Sequence, residues 1–168
     1  ADAEATVAVS APVAASLTVK VRTAAGDPTA FQARLDPTGA SAEFGSRTFV
    51  DGDGDATFLL PAGTWHVWLH HGPEWSVHGE TVTLTAGKTT VIDTKLSHVV
   101  DTTGWLACDM HVHAEHSIDS EVPNRERILD AISVGMDYIV ATDHDYVTDY
   151  HPWLKAAGLT GRITVASG

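Results

Sequence analysis

The sequence contains a single cysteine, Cys108, so no disulfide can form within the chain. Basic residues are scarce. With 10 Lys and Arg against 22 Asp and Glu, the formal charge is −12, which repels a polyphosphate backbone and makes nucleic acid a poor partner. Long apolar runs are missing as well: no stretch reaches the roughly 18 apolar residues of a membrane-crossing helix, so no membrane span is expected. What is present is a globular composition, 43% hydrophobic over 168 residues, which suits one generous domain or two small ones. Histidine is plentiful. Three of the ten lie in DMHVHAEHSIDS, residues 109–120, together with Asp109 and Asp119.

Residues 1–15 are small, polar or weakly apolar and without periodicity, and read as a disordered leader. An Ala-rich start of this kind is what signal-peptide cleavage leaves, so a secreted or periplasmic location is expected. From Leu17 the pattern changes: Leu17, Val19 and Val21 alternate with Thr18, Lys20 and Arg22, the period of a strand with one buried face. Short runs of that type recur between Gly-, Pro- and Asp-rich turns, which predicts an all-β sandwich over residues 16–98. Within it, DGDGD at 51–55 places carboxylates as an EF-hand loop begins, but the twelfth position is Ala62 rather than a bidentate Glu and the flanks are strands. A tight turn is the better reading. In TWHVWLHH, Trp65, Val67 and Leu69 share one face of a strand while His66, Trp68 and His70 share the other. That second face is expected to be an inter-domain contact or a partly exposed surface rather than a metal site, and His71, His78 and His98 carry no assignment.

Residues 99–168 have a different character. WLACD, 105–109, is a short apolar run in which Cys108 reads as a small apolar residue inside a strand. PNRERILDAISVGMD reads as a helix, with Pro123 in its first turn, Ile128, Leu129, Ile132 and Met136 at helical spacing and Gly135 as a stop. YIVAT, 138–142, is a continuous apolar run of the kind buried on both faces. A weaker helical patch near Trp153 to Ala157 leads to a third run, RITVASG. The order β-α-β-α-β predicts parallel strands.

In parallel α/β folds, functional groups collect at the carboxyl ends of the strands. The first strand ends in His111-Val112-His113 and the second in Thr142-Asp143-His144-Asp145. His111 and His113, two apart in extended chain, project to one side and can chelate an ion, and Asp119 and His144 can approach from the neighbouring loop and strand. Such a set suits Zn, Mn or Fe better than Ca or Mg. His116 reads as a loop histidine. Asp109 and Asp143 read as partners of imidazole N–H groups, Asp145 as a helix cap, and Arg125 and Arg127 as the solvent side of their helix.

D-x-H-x-H (109–113), S-x-D-S (117–120), A-x-x-x-G-x-D-x-I (131–139) and T-D-H-D (142–145) together resemble the opening motifs of the PHP (polymerase and histidinol phosphatase) superfamily, and within it the CehA/McbA-type metallohydrolases. The preceding β unit loosely resembles carboxypeptidase-regulatory or transthyretin-like modules. The resemblance implies that the sandwich is followed by the first part of a distorted (β/α)7 barrel binding two or three divalent metal ions. His111 and His113 would share one ion, Asp119 and His144 would serve another, and a metal-bound hydroxide would be the nucleophile. It also implies ligands beyond Gly168, so that either the sequence is a fragment or a C-terminal polypeptide, of the same gene product and cleaved near residue 168, completes the barrel. The expected activity is metal-dependent hydrolysis of a phosphoester, or of a carbamate, ester or amide, in a small-molecule substrate. The rival expectation is a surface-binding or adhesion module with an inert barrel fragment.

Overall fold

The computed structural model describes residues 13–168, so the leader expected over 1–15 falls almost wholly outside the described residues. By Ala15 the chain is already inside strand β1 (Ala15–Thr23), with that residue fully buried. The chain continues through β2 (Phe31–Thr38), a 3-10 turn (Gly39–Phe44), β3 (Arg47–Asp51), β4 (Asp55–Leu60), β5 (Gly63–His70), β6 (His78–Leu84) and β7 (Thr89–Leu96). These strands make two sheets. One has the order β4-β1-β7 and the other β3-β2-β5-β6.

The alternation read from the sequence is what lets the two sheets face each other. Leu17, Val19 and Val21 of β1, Phe31, Ala33 and Leu35 of β2 and Trp65, Val67 and Leu69 of β5 are all fully buried in one shared core. Each large aliphatic or aromatic side chain removed from water there contributes about 1.5–3 kcal/mol. Trp65 keeps its indole N–H satisfied by donating to the Pro61 carbonyl at 3.1 Å.

The second region consists of β8 (Cys108–Val112), helix α1 (Asn124–Ser133), β9 (Tyr138–Ala141), helix α2 (His151–Ala156) and β10 (Thr164–Ser167). Its three strands pair in parallel in the order β10-β9-β8. Pro123 is the N-cap of α1 rather than part of its first turn, and Gly135 ends the helical stretch with φ +74°, a conformation in which glycine carries no steric cost. Ile128, Leu129, Ala131 and Ile132 bury one face of α1, and Leu154 of α2 joins the same core. In β9 only Ile139 and Ala141 are buried, so the sheet is covered on one face instead of two. Cys108 is exposed.

The two regions are stapled together. Ala30 is fully buried in the second core and Val50 packs against it. Gly52 sits under α1, where an added Cβ would lie 3.0 Å from Leu129 Cδ2, and its carbonyl accepts a hydrogen bond from Arg162 Nη2 at 3.0 Å. The DGDGD turn is therefore part of the junction. Its Asp51 carboxylate receives the backbone N–H groups of Asp53 and Gly54, as in a tight turn. His71 Nδ1 donates to the Ser133 carbonyl at 3.0 Å, and Gly72, at φ +83°, lies where any Cβ would collide with the Val134 carbonyl.

This architecture corrects the expected fold class. The described chain is mostly β, in three sheets, with no (β/α) barrel pattern. A barrel requires strand-to-strand hydrogen bonding to continue until the sheet meets itself. Among the described residues the parallel sheet has three strands, and α1 contacts β2 and β3 of the preceding region. Among the described residues no helix is long and apolar enough to cross a membrane.

Candidate metal centre

The site is built at the ends of β8 and β9. The pairing of these strands is regular at Cys108↔Tyr138 and Asp109↔Ile139, then shifts before Val112↔Ala141, which marks a bulge at Met110 and His111. A bulge re-aims the side chains that follow it. Here Asp109 accepts the backbone N–H of His111 at 3.0 Å, so it supports the irregular backbone and is not the imidazole partner expected from sequence. Asp143 likewise takes a backbone role. It is buried, receives the Ala114 N–H at 2.7 Å through one oxygen and the Thr148 hydroxyl through the other, and so ties the exit of β9 to the exit of β8.

With the two strand ends tied, His113, Asp119 and His144 come together. One ligand-type atom from each lies within 4.8 Å of the other two. The Nδ1 of His113 is 3.0 Å from Asp119 Oδ1, and His144 Nε2 is 3.4 Å from Asp119 Oδ2. Ser117, itself buried, touches all three residues. Its hydroxyl donates to Asp119 Oδ1 at 2.6 Å, lies 3.0 Å from His113 Nδ1 and accepts the backbone N–H of His144 at 3.1 Å. The Ser117 hydroxyl first, and the His113 ring next, hold the Asp119 carboxyl down at about 2, so it is charged throughout the neutral range.

His111 is placed differently. Its ring stacks on His113 with centroids 4.8 Å apart and planes 11° from parallel. The in-plane lone pairs of two stacked rings run side by side and do not converge, so in this arrangement His111 is not a fourth donor to the ion that His113 would hold. His116 stacks on Tyr146, with centroids 4.3 Å apart, and contacts Asn124, outside the cluster. Asp145 caps no helix. It adopts φ +55° directly after His144, and the N-cap of α2 is Tyr150.

Next to the cluster is a cleft of about 520 Å³. His111, His113, Asp119 and Arg127 contribute polar groups to it, Ile139 is one of its apolar walls, and Gln32 reaches in from β2. Arg127 does not lie on the solvent side of its helix, because its Nε–H donates to the His113 carbonyl at 2.9 Å. Three contributors were thus not legible as site residues. Ser117 had a signal in its spacing from Asp119 within S-x-D-S. Arg127 and Gln32 had none, since helix rotation and the docking of the two regions bring them there.

No family model matches the chain, and no curated protein matches it. Among solved structures, the Bacillus anthracis TIE protein is similar at 16% identity over 51% of this chain and 17% of that chain, with a TM-score of 0.41. A leucine-rich repeat protein from Bacteroides thetaiotaomicron is similar at 15% identity over 55% of this chain and 15% of that chain, with a TM-score of 0.34. This chain corresponds to only a small part of either. The resemblance drawn from the motifs is thereby corrected: no PHP family model matches the chain, and its described residues form separate sheets with no α/β barrel.

Proposed function

We propose that the chain is a metal-dependent hydrolase of small molecules, with His113, Asp119 and His144 as ligands of one divalent cation. The observation that carries this reading is the convergence of two imidazoles and one ionised carboxylate beside a cleft. The donor set fits such an ion. Two nitrogens and one oxygen suit Zn, Mn or Fe, and three protein ligands leave positions free for water and substrate, as in catalytic zinc sites. Ligands on one ion at about 2.1 Å sit roughly 3.4 Å apart in tetrahedral geometry; the two contacts to Asp119, 3.0 and 3.4 Å, are already near that spacing, and closing the set around an ion needs only small side-chain adjustments. The side chains of Asp119 and His144 are about half exposed, 51% and 56%, and can move, whereas that of His113 is 15% exposed and serves as the fixed point.

A bound ion would supply Lewis acidity, lowering the pKa of water and polarising the bond to be cleaved. The chain's own residues do the rest. Ser117 positions the Asp119 carboxylate and the His113 ring, Arg127 fixes the backbone from which His113 projects, and the cleft receives the substrate. The net charge of −12 favours small substrates over nucleic acid.

The test is turnover of chromogenic p-nitrophenyl esters and p-nitrophenyl phosphate by protein loaded with Zn or Mn. Hydrolysis that is abolished by chelation and by Asp119→Ala is expected. Metal-loaded protein that turns over neither substrate class would overturn the hydrolase assignment.

A further inference from the structure

The side of β5 that carries His66, Trp68 and His70 has no part in the proposed hydrolysis, yet it is organised. Across the four-stranded sheet the register places Thr48, Arg34, Trp68 and Gly79 in one row and Asp36, His66 and Thr81 in the next. Trp68 is the sole exposed large apolar side chain on these four strands, at 40%. Its ring lies over Gly79, where an added Cβ would come within 2.7 Å of the indole, so only glycine at that position lets the ring settle onto the sheet. His66 supports it from beside, with ring centroids 4.3 Å apart. His66 Nδ1 is 2.9 Å from the Thr81 hydroxyl. Its Nε2 is buried without a hydrogen-bond partner. The outer face of the Trp68 ring is left to solvent.

The polar groups around this ring cancel in charge. Arg34 Nε donates to both oxygens of Asp36, at 3.0 and 3.1 Å. Asp36 is held below the usual carboxylate range by Ser46 and Arg34, with the Trp68 indole N–H adding to them. A cationic or anionic ligand therefore finds no unpaired counter-charge here. An isolated indole ringed by hydrogen-bonding groups is also too small and too polar a patch for a protein interface core. What fits is a ligand that is flat, uncharged, apolar on its faces and hydroxylated at its rim. That is the chemistry of a pyranose with equatorial substituents, whose C–H face stacks on an aromatic ring while its hydroxyls reach the flanking side chains.

We propose that this sheet face, centred on Trp68, is a binding site for an uncharged β-linked oligosaccharide. The same face continues along β2 to Gln32, two residues and about 7 Å from Arg34, and Gln32 is a wall of the cleft. An extended chain lying on Trp68 would thus run towards the candidate metal centre. The site stands on its own geometry and does not require the metal.

Isothermal titration of the full chain with cellohexaose and with chitohexaose tests it. Wild type is expected to bind at least one of them. Trp68→Ala is expected to weaken that binding about tenfold or more, and Trp68→Phe to retain most of it, because a stacked ring is worth about a factor of ten. Trp153, equally exposed at 41% but on α2, is the control, and Trp153→Ala should leave binding unchanged. Failure of wild type to bind either oligosaccharide, wild-type affinity in Trp68→Ala, or an equal loss in Trp153→Ala would each overturn the proposal.

Discussion

The two regions of this chain handle their apolar surface in different ways. In the β unit two sheets close on each other, and β1, β2 and β5 each bury three or four alternate residues of one face. In the α/β unit the sheet is covered on one side only, β8 buries just Val112, and the core is completed by Ala30 and Val50 from the β unit. One region is self-sufficient and carries no candidate metal ligands. The other depends on its neighbour and holds the cluster at its less buried strand ends. Rigidity is thus supplied by the first region and chemistry is placed on the second, as is common where reactive groups sit on loops held by a scaffold.

If that division is right, lesions in the two regions should differ in reach. Trp65→Ala removes the largest fully buried side chain and should cost about 3–5 kcal/mol, lowering the denaturant midpoint of the β unit and of the α/β unit docked on it. Gly72→Ala forces a left-handed residue against the Val134 carbonyl and should cost about 1–3 kcal/mol. Hydrogen exchange should then show α1 and β8 to β10 losing protection while β1 to β7 keep theirs. Equal loss in both regions would erase the asymmetry.

Within the α/β unit the expected effects are more local. Asp143→Ala leaves the buried Ala114 N–H and Thr148 hydroxyl without their acceptor and should cost about 1–3 kcal/mol, read as a lower unfolding midpoint of that region alone. The smallest effect is a shift in titration. The Asp119 carboxyl titrates near 2, so the interactions that favour its charged form are complete above the ordinary 3.8 and are lost as pH falls through about 2. Ser117→Ala removes the largest cause and should move the Asp119 midpoint, followed by carbon-detected NMR, up towards 3.8. An unmoved midpoint would deny Ser117 its part.

The elements were readable because their signals are local. Alternation at Leu17, Val19 and Val21 and helical spacing at Ile128, Leu129 and Ile132 need only the preferences of a few consecutive residues. The turn at DGDGD was readable as a turn, but its docking against Arg162 and Leu129 was not, because those partners are far along the chain. The same limit explains the barrel. Three parallel strands with two crossovers look alike at the level of residues whether the sheet closes or stays open, and closure depends on pairings that no single segment encodes. At the site, the grouping of His113 and His144 follows from their places just past neighbouring strand ends, with Asp119 supplied by the loop after β8. The separate position of His111 arises from the bulge in β8, and the roles of Asp109 and Asp143 follow from which backbone N–H groups were left needing an acceptor.

The measurement closest to the centre of this account is zinc binding followed by titration calorimetry and X-ray absorption. Wild type should take up one ion per chain in a nitrogen and oxygen shell. His113→Ala, Asp119→Ala and His144→Ala should each weaken it by about a hundredfold or more, while His111→Ala changes it little. No stoichiometric uptake, or a loss on His111→Ala as large as on His113→Ala, would contradict the three-residue site.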